Sequence, residues 1–262
     1  MISEKIELIT TVSLSNEEVT QKHHYERISN DYNAHYNHFY SQKYMQQFVL
    51  EPMFAGLELK NKNVLEAMCG GGQATQYLLD SQAKVTGLDI SPQQITHYKS
   101  RFDQADILCA SILDSGIESE SFDVVAVIGG FHHMPPRVNE SIEEVYRILK
   151  PGGYLCFMEP HSESAAEIAR KAWYKFDSLF AENEAAISMN ELQTNFKNHF
   201  NFKRQHYSGN VGYLLVLNSM VFRLPLKLKP LYSPLLLHAE TVLNKILGKT
   251  FSCFVVAQWQ KK

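Results

Sequence analysis

Three consecutive glycines, Gly70 to Gly72, close the stretch Val64-Leu-Glu-Ala-Met-Cys-Gly-Gly-Gly-Gln73, and an acid, Asp89, stands seventeen residues beyond Gly72. Gly70 and Gly72 carry no side chain, so a ligand can lie directly on their backbone. An acid placed like Asp89, at the end of the next strand, can accept hydrogen bonds from both hydroxyls of a ribose. A nucleoside ligand is therefore indicated. A dinucleotide site wants G-x-G-x-x-G with a helix N-terminus facing the pyrophosphate. Counting from Gly70, the third glycine is replaced by Thr75. Glu66, on the approach to the loop, would repel a pyrophosphate and suit a ligand that carries positive charge. A second group that could do chemistry is Phe131-His132-His133-Met134, where a neutral imidazole could take a proton from a hydroxyl or an amine.

These residues need a scaffold, and the middle of the chain alternates apolar runs with helical patterns. "NVLEAM", "AKVTGLDI", "DILCAS", "FDVVAVIG" and "YLCFME" read as five strands. "QATQYLLDSQ", the segment opened by Ser91-Pro92, and "VNESIEEVYRIL" read as the helices between them. Ser91 is the expected N-cap and Pro92 the first helical residue. Lys150-Pro-Gly-Gly153 reads as a turn before the fifth strand. Strands alternating with helices of this length predict βαβ units and a parallel sheet, whose strands are apolar throughout because both faces are covered. Open sheets of this kind bind ligands at the carboxyl ends of their strands. The glycine loop, Asp89, His132 and His133 all fall there.

The flanks differ from this middle. Residues 1–60 read as a polar helical cap rich in His, Tyr and Asn, and 61–160 as the nucleoside-binding core. Residues 161–262 complete the sheet with "NFKRQHYSG" and "TFSCFVVAQWQ" as sixth and seventh strands. Between those two lies 212–249, an apolar segment with interspersed lysines, broken by Pro225, Pro230 and Pro234. One compact domain with a helical lid over the substrate is expected.

Charge is divided unevenly. Residues 195–262 hold ten Lys and Arg against one acid, Glu240, a net +9, while the first 194 residues carry −12. Such asymmetry points to an anionic substrate or an anionic membrane surface as partner of the basic part, with a solvated surface as the alternative. No recognised RNA-binding module accompanies it, so nucleic acid is not expected as a partner. The four cysteines are widely spaced and form no metal-binding pattern, so no metal is expected and a cytoplasmic setting is. "MISEKIELIT" lacks the basic start and long apolar core of a signal peptide, and no run of about 18 apolar residues occurs.

The motifs quoted resemble those of the class I S-adenosylmethionine-dependent methyltransferases. The first motif of that family is matched by Val64 to Gly72, and its second-strand acid by Asp89. Its fourth-strand signature is matched by "SFDVVAVIGGFHHMP" and the approach to its fifth strand by "RILKPGGYLCFMEP". The resemblance covers 61–160 and departs at Met68, where the family usually has glycine, and at Ser111, where it often has aspartate. It implies an α/β fold with a seven-stranded, mostly parallel Rossmann-like sheet and helices on both faces. It implies S-adenosylmethionine (SAM), which has a ribose, an ammonium and a sulfonium but no phosphate.

The cofactor contacts it implies are Glu66 near the ammonium and Ala67, Met68, Gly70 and Gly72 along the amino-acid half. Asp89 would hold the ribose, Ile90 the adenine face, Ser111 and Ile112 the adenine edge, and Ile128 and Gly129 would close the pocket. Tyr25 and Tyr32 are the expected aromatics from the N-terminal cap, since a ring face favours a sulfonium. His133 and His132 are the candidate catalytic residues, and Phe131, His161, Glu159 and Arg223 the candidate substrate contacts. A small, apolar or lipid-like methyl acceptor is the leading expectation. Methylation of RNA or protein, or a non-catalytic SAM-fold protein, are the alternatives.

Overall fold

The computed structural model describes residues 18–19, 22–23, 33–174 and 185–262. Helix α1 (Phe39–Met45) runs through a π-helical turn, Gln46–Leu50, into the short α2 (Glu51–Phe54). There follow β1 (Asn63–Ala67), α3 (Thr75–Asp80), β2 (Lys84–Asp89), α4 (Pro92–Arg101), β3 (Asp106–Cys109), β4 (Phe122–Ile128), α5 (Val138–Ile148) and β5 (Leu149–Pro160). The C-terminal part adds α6 (Ala166–Tyr174), α7 (Met189–Phe196), β6 (Phe200–Ser208), α8 (Lys229–Ile246) and β7 (Phe254–Lys261). The seven strands form one sheet in the order β3-β2-β1-β4-β5-β7-β6. Strands β1 to β5 pair in parallel, and β7 runs antiparallel to both β5 and β6. The expected mostly parallel α/β sheet is thus observed, and the strand order reverses between β1 and β4, beside the glycine loop.

The apolar runs bury both faces of the sheet. Val64, Val85, Val124, Ala126, Cys156 and Val256 face a core shared with α1, the π turn and α2. Their neighbours Leu65, Leu88, Val125, Val127, Leu155 and Ala257 face a second core shared with α5 and α7. The period of two along each strand assigns successive side chains to opposite layers. Ser91 caps α4 as expected, its hydroxyl accepting from the Gln94 N–H at 3.4 Å, and Ser188 caps α7 in the same way.

Two elements depart from expectation. Lys150 to Gly153 is not a turn ahead of β5 but a bulge inside it: Leu149 already pairs with Phe122, and the register shifts before Val124 meets Tyr154. A side chain at Gly153 would lie 2.9 Å from the Asp123 and Lys150 carbonyls, so only glycine lets the strand pass there. The segment 212–249 folds as a π turn (Tyr213–Leu217), a 3-10 turn (Leu226–Leu228) and α8. It packs on α1 and on the sheet, joined by Val216, Leu217 and Leu237 in the first core.

The join between α1 and α8 is polar at its centre. Lys229, one of the cations of this segment expected to meet an anionic group or a membrane surface, is buried. Its ammonium donates to the His35 carbonyl at 3.0 Å and to Ser41 Oγ at 2.6 Å. Burial pushes the ammonium down to about 8. The folded chain then loses a proton near pH 8 that the unfolded chain keeps to about 10.4. Stability gained from this group therefore rises as pH climbs through that window. In Lys229→Met the Ser41 hydroxyl still satisfies the His35 carbonyl, at 2.8 Å. Urea unfolding should find the variant more stable than wild type at pH 7, with the gap narrowing by about 2 kcal/mol by pH 10. A gap that does not change with pH would contradict this placement of the lysine.

Candidate active site

A cleft of about 850 Å³, partly open to solvent, lies at the carboxyl ends of β1, β2 and β4. The loop after β1 forms its floor. Met68 (φ +53°), Gly70 (φ +50°) and Gly72 (φ +83°) all take left-handed backbone conformations. A Cβ on Gly70 would meet nothing within 4 Å, so this glycine presents bare backbone to the cleft. A Cβ on Gly72 would come within 2.5 Å of the Phe102 ring and 2.8 Å of Thr75 Oγ1. Gly72 therefore serves the packing of the loop on α4 and does not line the cleft. The Met68 thioether rests on Gly130, where a Cβ would lie 2.6 Å from its methyl group. Met68 thus borders the cleft from the side and pays for this with a backbone conformation costing about 1 kcal/mol.

Glu66 is placed differently from the expectation. It is buried and does not line the cleft. Its carboxylate accepts from the Ala74 N–H at 2.8 Å and from Thr75 Oγ1 at 2.5 Å. Burial raises its pKa, and those bonds with one from the Gln73 N–H oppose the rise. The carboxylate thereby takes the Gln73 and Ala74 N–H groups just ahead of α3 and sets negative charge where a pyrophosphate would lie. Ala67 is also buried, inside β1.

Asp89 does line the cleft. Its two oxygens accept from Gly70 N–H at 2.8 Å and Ser91 N–H at 2.9 Å. Burial raises its pKa, countered by these backbone bonds. Each carboxylate oxygen has a second lone pair, enough for a ribose diol. Ile90, Ile112, Ile128 and Gly129 stand on the same walls, with Leu88, Ala110 and Met134. Ser111 does not. It is buried, with its hydroxyl hydrogen-bonded to Glu18 and accepting from the Leu113 N–H. Through that bond Glu18 brings a carboxylate to the cleft, beside Lys22. Gln94, one turn into α4, adds an Oε1 that is buried and has no partner among the described residues. Glu18 had no local signal in the sequence. Gln94 was within reach, three residues after the Ser91 cap. Tyr25 and Tyr32 lie outside the described residues.

The turn after β4 carries the histidines. Glu159, at the end of β5 and expected to contact substrate, is buried and does not line the cleft. One of its oxygens accepts from Gly130 N–H (2.8 Å) and Phe131 N–H (2.7 Å), and the other lies 2.8 Å from His132 Nδ1. A proton on Nδ1 in that contact leaves the lone pair on Nε2. A Cβ on Gly129, a cleft residue, would sit 3.5 Å from His132 Cε1, so this imidazole edges the cleft wall. His133 lines the cleft, its ring centroid 3.8 Å from that of His132.

Three further substrate expectations are corrected. Phe131 is buried edge-on against Phe157 in the second core. His161 is buried, with Nε2 2.9 Å from the Ser252 carbonyl and its ring against Tyr207, where it ties β5 to the approach of β7. Arg223 is exposed and does not line the cleft.

The donor set fits SAM. Bare backbone at Gly70, the Asp89 carboxylate and apolar walls suit a nucleoside, and the Glu66 carboxylate ahead of α3 disfavours a diphosphate. Residues 65–157 match the family described as methyltransferase domain. Over 121 residues the chain is 37% identical to an uncharacterized methyltransferase of Synechocystis sp., covering 44% of this chain and 57% of that protein. It is 35% identical over 115 residues to phthiotriol/phenolphthiotriol dimycocerosates methyltransferase 1 of Mycobacterium ulcerans, covering 42% of each chain. The chain spans about half the length of these curated relatives. Its fold matches that of N-methyltransferase NodS from Bradyrhizobium japonicum in complex with S-adenosyl-L-homocysteine, with a TM-score of 0.57 and 12% identity over 91% of this chain and 98% of that one. The match to a methyltransferase domain thus falls on the β1-to-β5 part of the chain, which holds the glycine loop and Asp89.

Two substitutions test the floor of the cleft. Asp89→Ala should weaken SAM binding by about 10- to 100-fold in isothermal titration, the worth of charge-assisted bonds to hydroxyls. Met68→Gly should weaken it by about 3- to 10-fold through lost apolar contact, while relief of the left-handed conformation keeps the stability loss within about 1 kcal/mol. Unchanged SAM affinity in Met68→Gly, with a larger loss of stability, would place this side chain in packing alone.

Proposed function

We propose that the protein transfers the methyl group of SAM to a small, apolar or lipid-like acceptor, with His132 as general base. The observation that carries this reading is the cleft lined by Gly70, Asp89 and His133, with the buried Glu159 holding His132 behind its Gly129 wall. Bound SAM supplies an electrophilic methyl on a sulfonium, itself a good leaving group. The chain's part is then to bind, align and exclude water, and to take a proton where the acceptor must lose one. Asp89, Gly70, Ile90, Ile112 and Ile128 would hold the cofactor, with Glu18 beside Ser111 as a carboxylate from the N-terminal cap. Glu159 acts as a positioning residue: it fixes the turn after β4 and holds the His132 proton on Nδ1. His133 would face the acceptor from the same turn.

The acceptor class rests on two supports. The cleft walls of Met68, Ile112, Ile128 and Met134 are apolar. A relative from Mycobacterium ulcerans is described as acting on phthiotriol and phenolphthiotriol dimycocerosates. A lipid-like acceptor would reach the protein from a membrane surface, and the cations of 195–262 suit that route.

Methyl-labelled SAM incubated with host lipid, metabolite, RNA and protein fractions should place label in the organic-soluble fraction. Label in RNA or protein, or none despite measurable SAM binding, would refute the acceptor class. With the acceptor in hand, His132→Ala should lower kcat by about 100-fold or more. Glu159→Gln should approach the same loss, because an amide NH₂ facing Nδ1 forces the proton onto Nε2. SAM affinity should stay near wild type in both. Full turnover in His132→Ala at every pH would remove the base from the mechanism.

A further inference from the structure

Helix α8 wears its apolar side outward. The positions it buries completely include Lys229, Ser233 and Glu240, with Leu237 as the apolar exception. The positions it exposes include Leu231 (80% exposed), Leu235 (72%), Val242 and Ile246 (72%). At 100° per residue these four fall within one stripe about 60° wide, opposite the buried face. The stripe runs about 22 Å along the helix. A leucine at 80% exposure contributes nothing to the fold, and a row of such residues marks an interaction surface.

Charge on the same surface selects its partner. Lys227 stands just ahead of the stripe and Lys245 at its far end, both exposed. The single carboxylate of residues 195–262, Glu240, is turned inward. It accepts from the Tyr44 hydroxyl and from the N–H groups of Asn210 and Gly212, so α8 shows no acid to solvent. Apolar residues flanked by cations on a helix that lies flat on the fold suit the headgroup boundary of an anionic bilayer. A second copy of the chain suits it less: pairing α8 antiparallel to itself would set Lys227 against the other copy's Lys245. No helix among the described residues is long and apolar enough to cross a membrane.

We propose that α8 docks the protein on an anionic lipid surface, with Leu231, Leu235, Val242 and Ile246 entering the headgroup boundary and Lys227 and Lys245 contacting lipid phosphates. The helix is connected to the cleft. Lys229, at its start, holds the His35 carbonyl, His35 Nδ1 lies 2.9 Å from Ser219 Oγ, and Asn33 lies against Gly71 of the cofactor loop. The inference stands on the surface of α8 and does not require methyl transfer.

The test is cosedimentation of the full chain with phosphatidylcholine vesicles, with and without about one-third phosphatidylglycerol. Wild type should bind the anionic vesicles, bind the neutral ones weakly, and release as salt is raised. Leu231→Glu/Leu235→Glu should weaken vesicle binding by about tenfold or more. Its SAM affinity should be unchanged, since both side chains are exposed and away from the cleft. Absence of wild-type binding to anionic vesicles, or binding that the double variant retains, would overturn the proposal. So would a dimer in light scattering that the double variant abolishes without any vesicle binding. SAM titration of the same samples keeps this outcome separate from the methyl-transfer reading.

Discussion

The Glu66 carboxylate at the start of α3 is the interaction on which the cofactor site depends. It is buried, and it spends its oxygens on Ala74 N–H and Thr75 Oγ1. A buried carboxylate left without such partners would cost several kcal/mol, so the loop between β1 and α3 has little freedom to move. Three further ties hold the loop in place. Arg101 donates to the Gly71 carbonyl at 2.6 Å, Tyr98 OH lies 3.0 Å from Thr75 Oγ1, and Gly70 N–H donates to Asp89. The result is one glycine held open toward the cleft and another packed away from it. The same carboxylate selects the ligand without touching it. By taking the Gln73 and Ala74 N–H groups ahead of α3 it places a carboxylate where a diphosphate would otherwise approach.

Glu159 repeats this arrangement four strands later. It too lies at the end of a strand, is buried, and accepts backbone N–H groups, here from the turn after the neighbouring β4 and not after its own strand. The difference is its second oxygen, which meets His132 rather than a helix start. One buried carboxylate therefore shapes the place for the cofactor, and the other sets an imidazole beside it. Both act by fixing backbone at the carboxyl edge of the sheet.

The sheet was legible because both its faces are covered, so its strands read as unbroken apolar runs. Gly70, Asp89 and the Ser91-Pro92 helix start were legible because each needs a particular residue type at a particular point. What could not be read was direction. Glu66, Glu159, Phe131 and His161 all sit at or just beyond strand ends, and position along the chain does not say whether such a side chain faces ligand or core. The Lys-Pro-Gly-Gly bulge reads as a turn because the residues that relieve strain in a bulge are those that make turns. Lys229 and α8 misled for another reason. A buried lysine satisfied by a carbonyl and a hydroxyl, on a helix whose leucines face outward, inverts the pattern on which such readings depend. Glu18 reaches the cleft by tertiary contact with Ser111 alone, which no local pattern records.

The central claim is that the Glu66 carboxylate ahead of α3 and an open Gly70 make this cleft a site for a nucleoside sulfonium and not for a dinucleotide. Isothermal titration of the wild-type protein with S-adenosylhomocysteine and, separately, with NAD tests it most directly. Saturable one-to-one binding of S-adenosylhomocysteine, with no heat from NAD beyond dilution, is the predicted result. NAD binding of comparable strength, or failure of S-adenosylhomocysteine to bind, would contradict the account.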